Sequence, residues 1–401
     1  MVRYAGFNGL AHRTNFFRAV AWQTGKRKDE RMATFALISD PHVTVPNPET
    51  GWMLREPVPN EPTMYQHSVE LLEQAIREIN AMPDIDFVLC AGDLTKDSEP
   101  YNHDAARELL SRFRKPVYCV PGNHDQPRPP HLRPPELLDP SVRPLRAEEL
   151  PWLYRDFGFQ QGNILAFSCD PTPDLHLVGL CSAKPDEDCG HIPEQTLAWL
   201  EDDLARQRDP QRHTLVLLHH SIVEHVPGER VNPTFSWFHV ENSDSLKAIL
   251  RRYGVRITLS GHLHIQDIKE ERGLYNIVTS SLAGYPHAYR VCTLERGQLA
   301  IRSYRLQSIP SIPNLQEYSR AYTSDTFVNI IAESLRKPPF EMTEDRAREA
   351  AQHLRDWWPN IAEGDERFSY TEADVGHAAL AAYANSFSDG DPPDNDCVIP
   401  L

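Results

Sequence analysis

The chain has 401 residues, with 41 Lys and Arg against 57 Asp and Glu, a net charge of −16. That length is more than one ordinary domain needs, and the acidic balance argues against nonspecific binding to nucleic acid or an anionic membrane. No apolar run approaches the ~20 residues that span a bilayer.

Residues 1–31 carry Arg3, Arg13, Arg18, Lys26, Arg27 and Lys28 with no acid before Asp29. They lack the apolar core of a secretory signal, and a targeting presequence stays open. They are read as a dispensable basic extension that ends just before Met32 and the first core strand.

Five short motifs then follow five apolar runs that read as buried strands. Phe35 to Ile38 leads to Asp40-Pro41-His42, and Phe87 to Cys90 leads to Gly92-Asp93. Val117 to Val120 leads to Gly122-Asn123-His124-Asp125, Leu215 to Leu218 to His219-His220, and Val255 to Leu259 to Gly261-His262-Leu263-His264. Carboxylate, imidazole and amide oxygen together suit a pair of divalent transition metals. Ligands at the carboxyl ends of neighbouring strands meet at one sheet edge, where open α/β folds bind. Asp40 and His42 are two apart, which on a continuing strand puts both on one face. His262 and His264 share that spacing, with Gly261 letting the backbone pass close to the site.

Between these strands, Ser68 to Ile79 and Gln195 to Leu204 have helical periodicity. Val69, Leu72, Ile76 and Ile79 line one helix, and Leu197, Leu200 and Leu204 the other. Apolar runs at 175–181, 274–278, 289–294 and 299–306 lack intervening helices and read as a second, more antiparallel set. The fold class expected is a four-layer α-β-β-α sandwich, two facing mixed sheets flanked by helices, with a helical C-terminal appendage. Residues 44–65 and the Pro-rich 126–151 follow metal motifs directly; they are expected at the site's edge, as specificity loops or as passive surface.

The division read from the chain is a basic extension over 1–31, a catalytic domain over 32–309, a helical extension over 310–384 and an acidic tail over 385–401. Ala350 to Trp358 and Asp374 to Tyr383 have few helix breakers. This region could cap the site or form a homo-oligomer contact, and Trp357-Trp358 reads as packing. Residues 310–401 hold 7 Lys or Arg against 17 Asp or Glu, a net −10. Ser386 to Asp396 is Gly-, Pro- and Asp-rich without an apolar pattern, so the tail is expected to lack structure.

In order and spelling the five motifs resemble the calcineurin-like metallophosphoesterase family, over roughly residues 34–306. Gly92-Asp93-Leu94-Thr95, Tyr101, Pro116-Val117-Tyr118 and Pro121 to Asp125 are similar to its bacterial cyclic-nucleotide phosphodiesterase branch. The resemblance implies two divalent ions (Mn, Fe or Zn) bridged by Asp93. One would take Asp40, His42, Asp93 and His264; the other Asp93, Asn123, His219 and His262. His219 is chosen over His220 on the family's usual pattern, since spacing alone leaves the pair ambiguous. The catalytic residues implied are Asp93 and His124, with Asn123 and His124 touching the substrate. His124 would assist the leaving oxygen, but the acidic partner that often orients it is in doubt, because Lys96 stands where it is expected and Asp97 one further on.

The function expected is hydrolysis of a small phosphodiester, of cyclic-nucleotide type, by attack of a metal-bridging hydroxide. A phosphomonoesterase acting on a protein or nucleotide is the alternative, and a metal-free binding scaffold a third, which loss of a ligand would have signalled. The partner expected is a small phosphate ester, with no nucleic-acid groove and no membrane. His67, His103, His131, His213, His225, His239 and His353 are read as solvated, His191 as packing, and His287 is left between packing and the pocket rim. Seven cysteines, five within or at the ends of apolar runs, read as free thiols in a reducing, cytoplasmic setting.

Overall fold

The computed structural model describes residues 31–54, 58, 60–127, 137–160, 165–185, 187–207, 209, 212–232, 235–390 and 392–401. Apart from Arg31, the basic extension lies outside the described residues, as do Arg128 and His131.

Twelve strands and ten α-helices appear among the described residues. One sheet holds β1 (Arg31–Ile38), β2 (Phe87–Cys90) and β3 (Val117–Cys119) in parallel, extended antiparallel by β10 (Ala288–Glu295), β11 (Gln298–Arg305) and β12 (Cys397–Pro400). Its order is β12-β11-β10-β1-β2-β3. The second sheet runs β4-β5-β6-β7-β9-β8. Here β5 (Leu175–Leu180), β6 (His213–Leu217), β7 (Ile257–Ser260) and β9 (Leu274–Val278) are parallel, with β4 (Ala166–Thr172) and β8 (Asp267–Glu271) as antiparallel edges. The later apolar runs therefore do not form a sheet of their own: β5 and β9 join β6 and β7, while β10 and β11 pair beside β1. A run without an intervening helix signals a short connection, not which sheet receives the strand.

Alternation along the strands makes the layers. Leu215 and Leu217 of β6 point into a core shared with Phe35, Leu37 and Phe87 of the other sheet, whereas Val216 and Leu218 point outward. On that outer side they meet Leu197, Leu200 and Leu204 of α4 (Glu194–Arg206) and Leu246 and Leu250 of α5 (Ser243–Arg252). On the other flank α1 (Ser68–Asn80) buries Leu71, Leu72, Ala75, Ile76 and Ile79, and α2 (Pro100–Leu110) buries Ala106, Leu109 and Leu110. The result is the four-layer sandwich.

The C-terminal region folds back as helices α6 (Leu315–Leu335), α7 (Glu344–His353), α8 (Trp357–Glu363), α9 (Glu372–Val375) and α10 (Ala378–Asn385). They enclose an apolar core with Trp357 and Trp358 inside, and the Trp357 indole donates to the Ala384 carbonyl at 3.1 Å. Leu263, Ile265 and Val278 of the sandwich belong to that same core.

The reading of 385–401 as an unstructured tail is corrected. Cys397 and Ile399 are buried against β11, in register with Ile301 and Leu299. The acids before them act as acceptors rather than solvated charges: Asp394 takes the Ile268 amide at 2.9 Å and Asp396 the Ser303 amide at 3.0 Å. The fully buried Arg290 donates to the Asp394 carbonyl (2.6 Å), the Val278 carbonyl (2.9 Å) and Ser303 Oγ (3.1 Å). Removing residues 394–401 strips Arg290 of a partner and β11 of its edge. We expect a loss of stability on the order of 1–3 kcal/mol or more, the range for leaving a buried polar group short of a hydrogen-bond partner. A chain ending at Pro393 with the full chain's denaturant midpoint would exclude this role for the tail.

Candidate metal centre

The five motifs leave the carboxyl ends of β1, β2, β3, β6 and β7, and their backbones join as they leave. The Asp40 amide donates to the Gly92 carbonyl (3.0 Å), that of His42 to Asp93 (2.9 Å) and that of Gly261 to His219 (3.0 Å). The Ser281 hydroxyl and the Ala283 amide both donate to the Asp40 carbonyl. The two sheet edges thus share one hydrogen-bonded rim.

The backbone there is not a continuing strand. Asp40, His42, Asp93, His262 and His264 have φ of +50°, +43°, +49°, +69° and +57°, in the left-handed region that non-glycine residues seldom occupy. This corrects the same-face strand argument for Asp40 and His42, since β1 ends at Ile38 and both side chains are aimed by left-handed turns. After β7, His262 and His264 turn to the centre while Leu263 and Ile265, alternating with them, enter the core of the helical appendage.

The seven candidate donors meet in one place. Atoms of Asp40, His42, Asp93 and His264 lie within 4.8 Å of one another, and so do atoms of Asp93, His219 and His262. Asp93 belongs to both groups. His42 Nε2 is 3.3 Å from His264 Nε2, which is 3.2 Å from Asp40 Oδ1. His219 Nε2 is 3.1 Å from both Asn123 Oδ1 and His262 Nδ1, and 3.3 Å from Asp93 Oδ2. Asp40, His42, Asp93, Asn123 and His219 are all but fully buried.

Second-nitrogen partners set the imidazole orientations. His219 Nδ1 donates to the Ala91 carbonyl at 2.7 Å and His262 Nε2 to the Trp237 carbonyl at 3.3 Å. Their remaining nitrogens therefore face each other with an amide oxygen and a carboxylate alongside. A cluster of acceptors like this requires a cation or a proton among them. Burial, with His124 and other imidazoles nearby, holds His42 well below the usual histidine range, and burial with His220 and His219 does the same for His262, so both are neutral donors. Burial also disfavours charge on His219, but Asp93 outweighs it and holds the pKa at about 9. In the bare protein that proton balances Asp93, which the neighbouring imidazoles keep ionised despite its burial. The donor set fits divalent transition metals.

His220 faces elsewhere. Its Nδ1 lies 2.9 Å from Ser182 Oγ and its Nε2 donates to the Asp188 carbonyl at 2.9 Å, with its ring against His262. Ser182 Oγ also accepts the amides of His219 and His220, a role the sequence did not suggest. Asp125 is the other support missed. Its carboxylate accepts the amides of Leu94, Thr95 and Gly122 at 2.8–2.9 Å, tying the Asp93 loop to the Asn123 loop, although burial and Asp93 push its pKa up to about 6. Its place in the motif is visible in the sequence, but its acceptor role is not.

His124 stands beside the donors, its Nδ1 donating to the Lys96 carbonyl at 2.6 Å and its Nε2 4.0 Å from Asp93 Oδ2. Asp97 Oδ1 is 3.6 Å from that Nδ1, so the acidic neighbour is Asp97. Lys96 is buried, its ammonium held by Asp97 (2.7 Å), Glu99 (2.8 Å) and the Leu137 carbonyl. The described parts of the two edge loops meet here: Asn47 donates to Asp139 at 2.7 Å, and Leu54, Tyr65 and Leu137 pack together beside Trp52. Tyr65 also lies edge-on to His42.

Three of the histidines read as solvated are buried instead. His103 bonds Tyr154 and Ser98, His225 bonds Asp267 and Asn276, and His239 lies between Glu229 and Ser243. His287 is buried too, donating to the Leu282 carbonyl. Two other groups have metal-like donors, Glu187–Cys189–Glu241 and Asp267–Asp389–Asp394, and each already pairs with a lysine, Lys184 and Lys269 respectively. All seven cysteines are unpaired, and no described helix is long and apolar enough to cross a membrane.

A family model described as calcineurin-like phosphoesterase matches residues 33–266. A 3',5'-cyclic-nucleotide phosphodiesterase of Nostoc sp. is 27% identical over 47% of this chain, and the match spans 59% of that protein's length. A 3',5'-cyclic adenosine monophosphate phosphodiesterase of Haemophilus influenzae is 25% identical over 62% of this chain and 84% of its own. Among solved structures, a dimetal phosphatase from Danio rerio superposes with a TM-score of 0.51 at 16% identity, over 69% of this chain and 97% of that one, a likeness of fold.

Close packing at Gly122 gives a direct test. A Cβ there would stand 2.6 Å from the Asp93 nitrogen and 2.8 Å from His219 Nε2, so Asp93 or His219 must move. Gly122→Ala is expected to keep the fold by circular dichroism and to hold metal about 10–100-fold more weakly, the usual cost of disturbing ligand supports. Unchanged metal content after dialysis against a chelator would contradict this geometry.

Proposed function

The chain belongs to the calcineurin-like phosphoesterase family, and from that premise we propose that it hydrolyses a small phosphodiester, of cyclic-nucleotide type, at a pair of divalent metal ions. Asp40, His42, Asp93 and His264 hold one ion. Asp93, Asn123, His219 and His262 hold the other, with Asp93 shared. The observation that carries this reading is the convergence of two donor groups on the one carboxylate of Asp93. When bound, such ions supply an acidified water near neutral pH and positive charge for the phosphoryl oxygens.

The chain's own groups do the rest. Asp40 and Asp93 bring two negative charges against four from the ions, so the centre attracts a phosphate. With His124 Nδ1 fixed on the Lys96 carbonyl, Nε2 is the nitrogen turned to the centre. It hands a proton to the leaving oxygen, with the Asp97 carboxylate 3.6 Å from Nδ1 on the far side of the ring.

Charge also supports a diester. A monoester dianion is held best when a further cation reaches its third free oxygen. Lys96, the basic residue nearest the motifs among those described, has its ammonium taken by Asp97 and Glu99. The names of the Nostoc and Haemophilus relatives support the same substrate class.

Two measurements test the reading. His124→Ala is expected to retain both ions and lose about 10²–10⁴-fold in rate, the range for general acid catalysis. The loss should shrink for nitrophenyl esters, whose leaving groups need little protonation; equal losses on good and poor leaving groups would remove His124 from that role. Across a panel of esters with Mn²⁺, Fe²⁺ and Zn²⁺, a bis-nitrophenyl phosphate or cyclic nucleotide should give a higher kcat/KM than nitrophenyl phosphate. A monoester preference with every metal would replace the diesterase by a monoesterase.

A further inference from the structure

Trp237 sits in a single 3-10 turn, Ser236–Phe238, that leans on the metal centre. Its carbonyl accepts from His262 Nε2, and its indole is 5.3 Å from the His262 ring, edge to face. The indole rests on Phe238 with centroids 3.8 Å apart, and Phe238 is buried in the core of the helical appendage. The ring is therefore fixed from behind and from one side, yet it is 39% exposed. Among the described residues, the other large exposed hydrophobic side chains are Trp152, Val231, Tyr253 and Tyr318, and none of them makes a ring contact with the donor histidines as Trp237 does.

We propose that the indole of Trp237 is a stacking face for the nucleobase of the phosphate ester, the group that selects an aromatic nucleotide over an aliphatic ester. The proposal rests on the phosphoesterase reading above and adds to it the residue that holds the base. An indole held rigid at the edge of a metal centre loses little entropy when a flat ring lies on it. Stacking of a base on an aromatic side chain is worth about 1–3 kcal/mol, roughly 5–150-fold in affinity, and tolerates any base. It also needs no cationic groove, in keeping with an acidic chain. Because His262 is tethered to the backbone carbonyl of Trp237 and not to its side chain, replacing the indole leaves that hydrogen bond in place.

The test separates base from phosphate and does not depend on turnover. Binding of adenosine 5'-monophosphate and of ribose 5-phosphate is measured by calorimetry on the full, metal-loaded chain, for the unaltered protein, Trp237→Ala and Trp237→Phe. Metal content and melting temperature serve as checks on each variant. Trp237→Ala should raise the Kd for the nucleotide about tenfold and that for ribose 5-phosphate less than twofold, while Trp237→Phe keeps most of the nucleotide affinity. Equal losses on the two ligands, or no loss on the nucleotide, would overturn the proposal. Failure of the diester reading would appear elsewhere, in the ratio of diester to monoester turnover by the unaltered protein.

Discussion

Five of the seven donors at the centre hold left-handed backbone conformations, and much of the surrounding structure exists to keep them there. Each such residue costs on the order of 1 kcal/mol or more, although Asp and His tolerate the region better than most. A strand edge by itself would relax back to extended geometry. Here the turns after β1, β2, β6 and β7 bond to one another, so the Asp40 turn moves only if the Asp93 and Ser281 segments move with it. Two sheets packed through one core hold these edges at a fixed separation.

The electrostatic problem is solved in the same place. Buried carboxylates and imidazoles are packed close enough to raise or lower one another's proton affinities, and in the bare protein the proton on His219 balances Asp93. The supports are acids and hydroxyls whose own needs are met by backbone amides: Asp125 with three, Ser182 with two. Neutral donors to these acceptors come from the loops that carry the ligands. The same bonds thus fix loop geometry and satisfy buried charge.

Much of the centre could be read from the chain because every motif directly follows an apolar run, and strand ends share an edge whichever way the sheet is wound. How the donors are aimed could not be read. Spacing of two in Asp40 and His42 suggests one face of a strand, while the structure uses left-handed turns that composition does not announce. Sheet membership of β5, β9, β10 and β11 was equally hidden, since it depends on which edge a short connection reaches. The acidic C-terminal segment has the composition of a solvated tail, yet Asp394 and Asp396 accept strand amides and Arg290 reaches the Asp394 carbonyl from within the core. His103, His225 and His239 look solvated in the sequence for the same reason: a lone polar residue gives no sign of the buried partner waiting for it.

The alternation at His262-Leu263-His264-Ile265 has a thermodynamic consequence. Two neighbouring side chains serve the metal centre and the two interleaved with them complete the apolar core of α6–α10. Free energy is therefore shared between sites that look independent. Whatever strengthens packing of the appendage reduces the cost of organising the donors, and by reciprocity a metal bound to them would make the appendage harder to detach. The C-terminal helices and a metal held by these donors would act as mutual effectors, joined through one four-residue stretch of backbone.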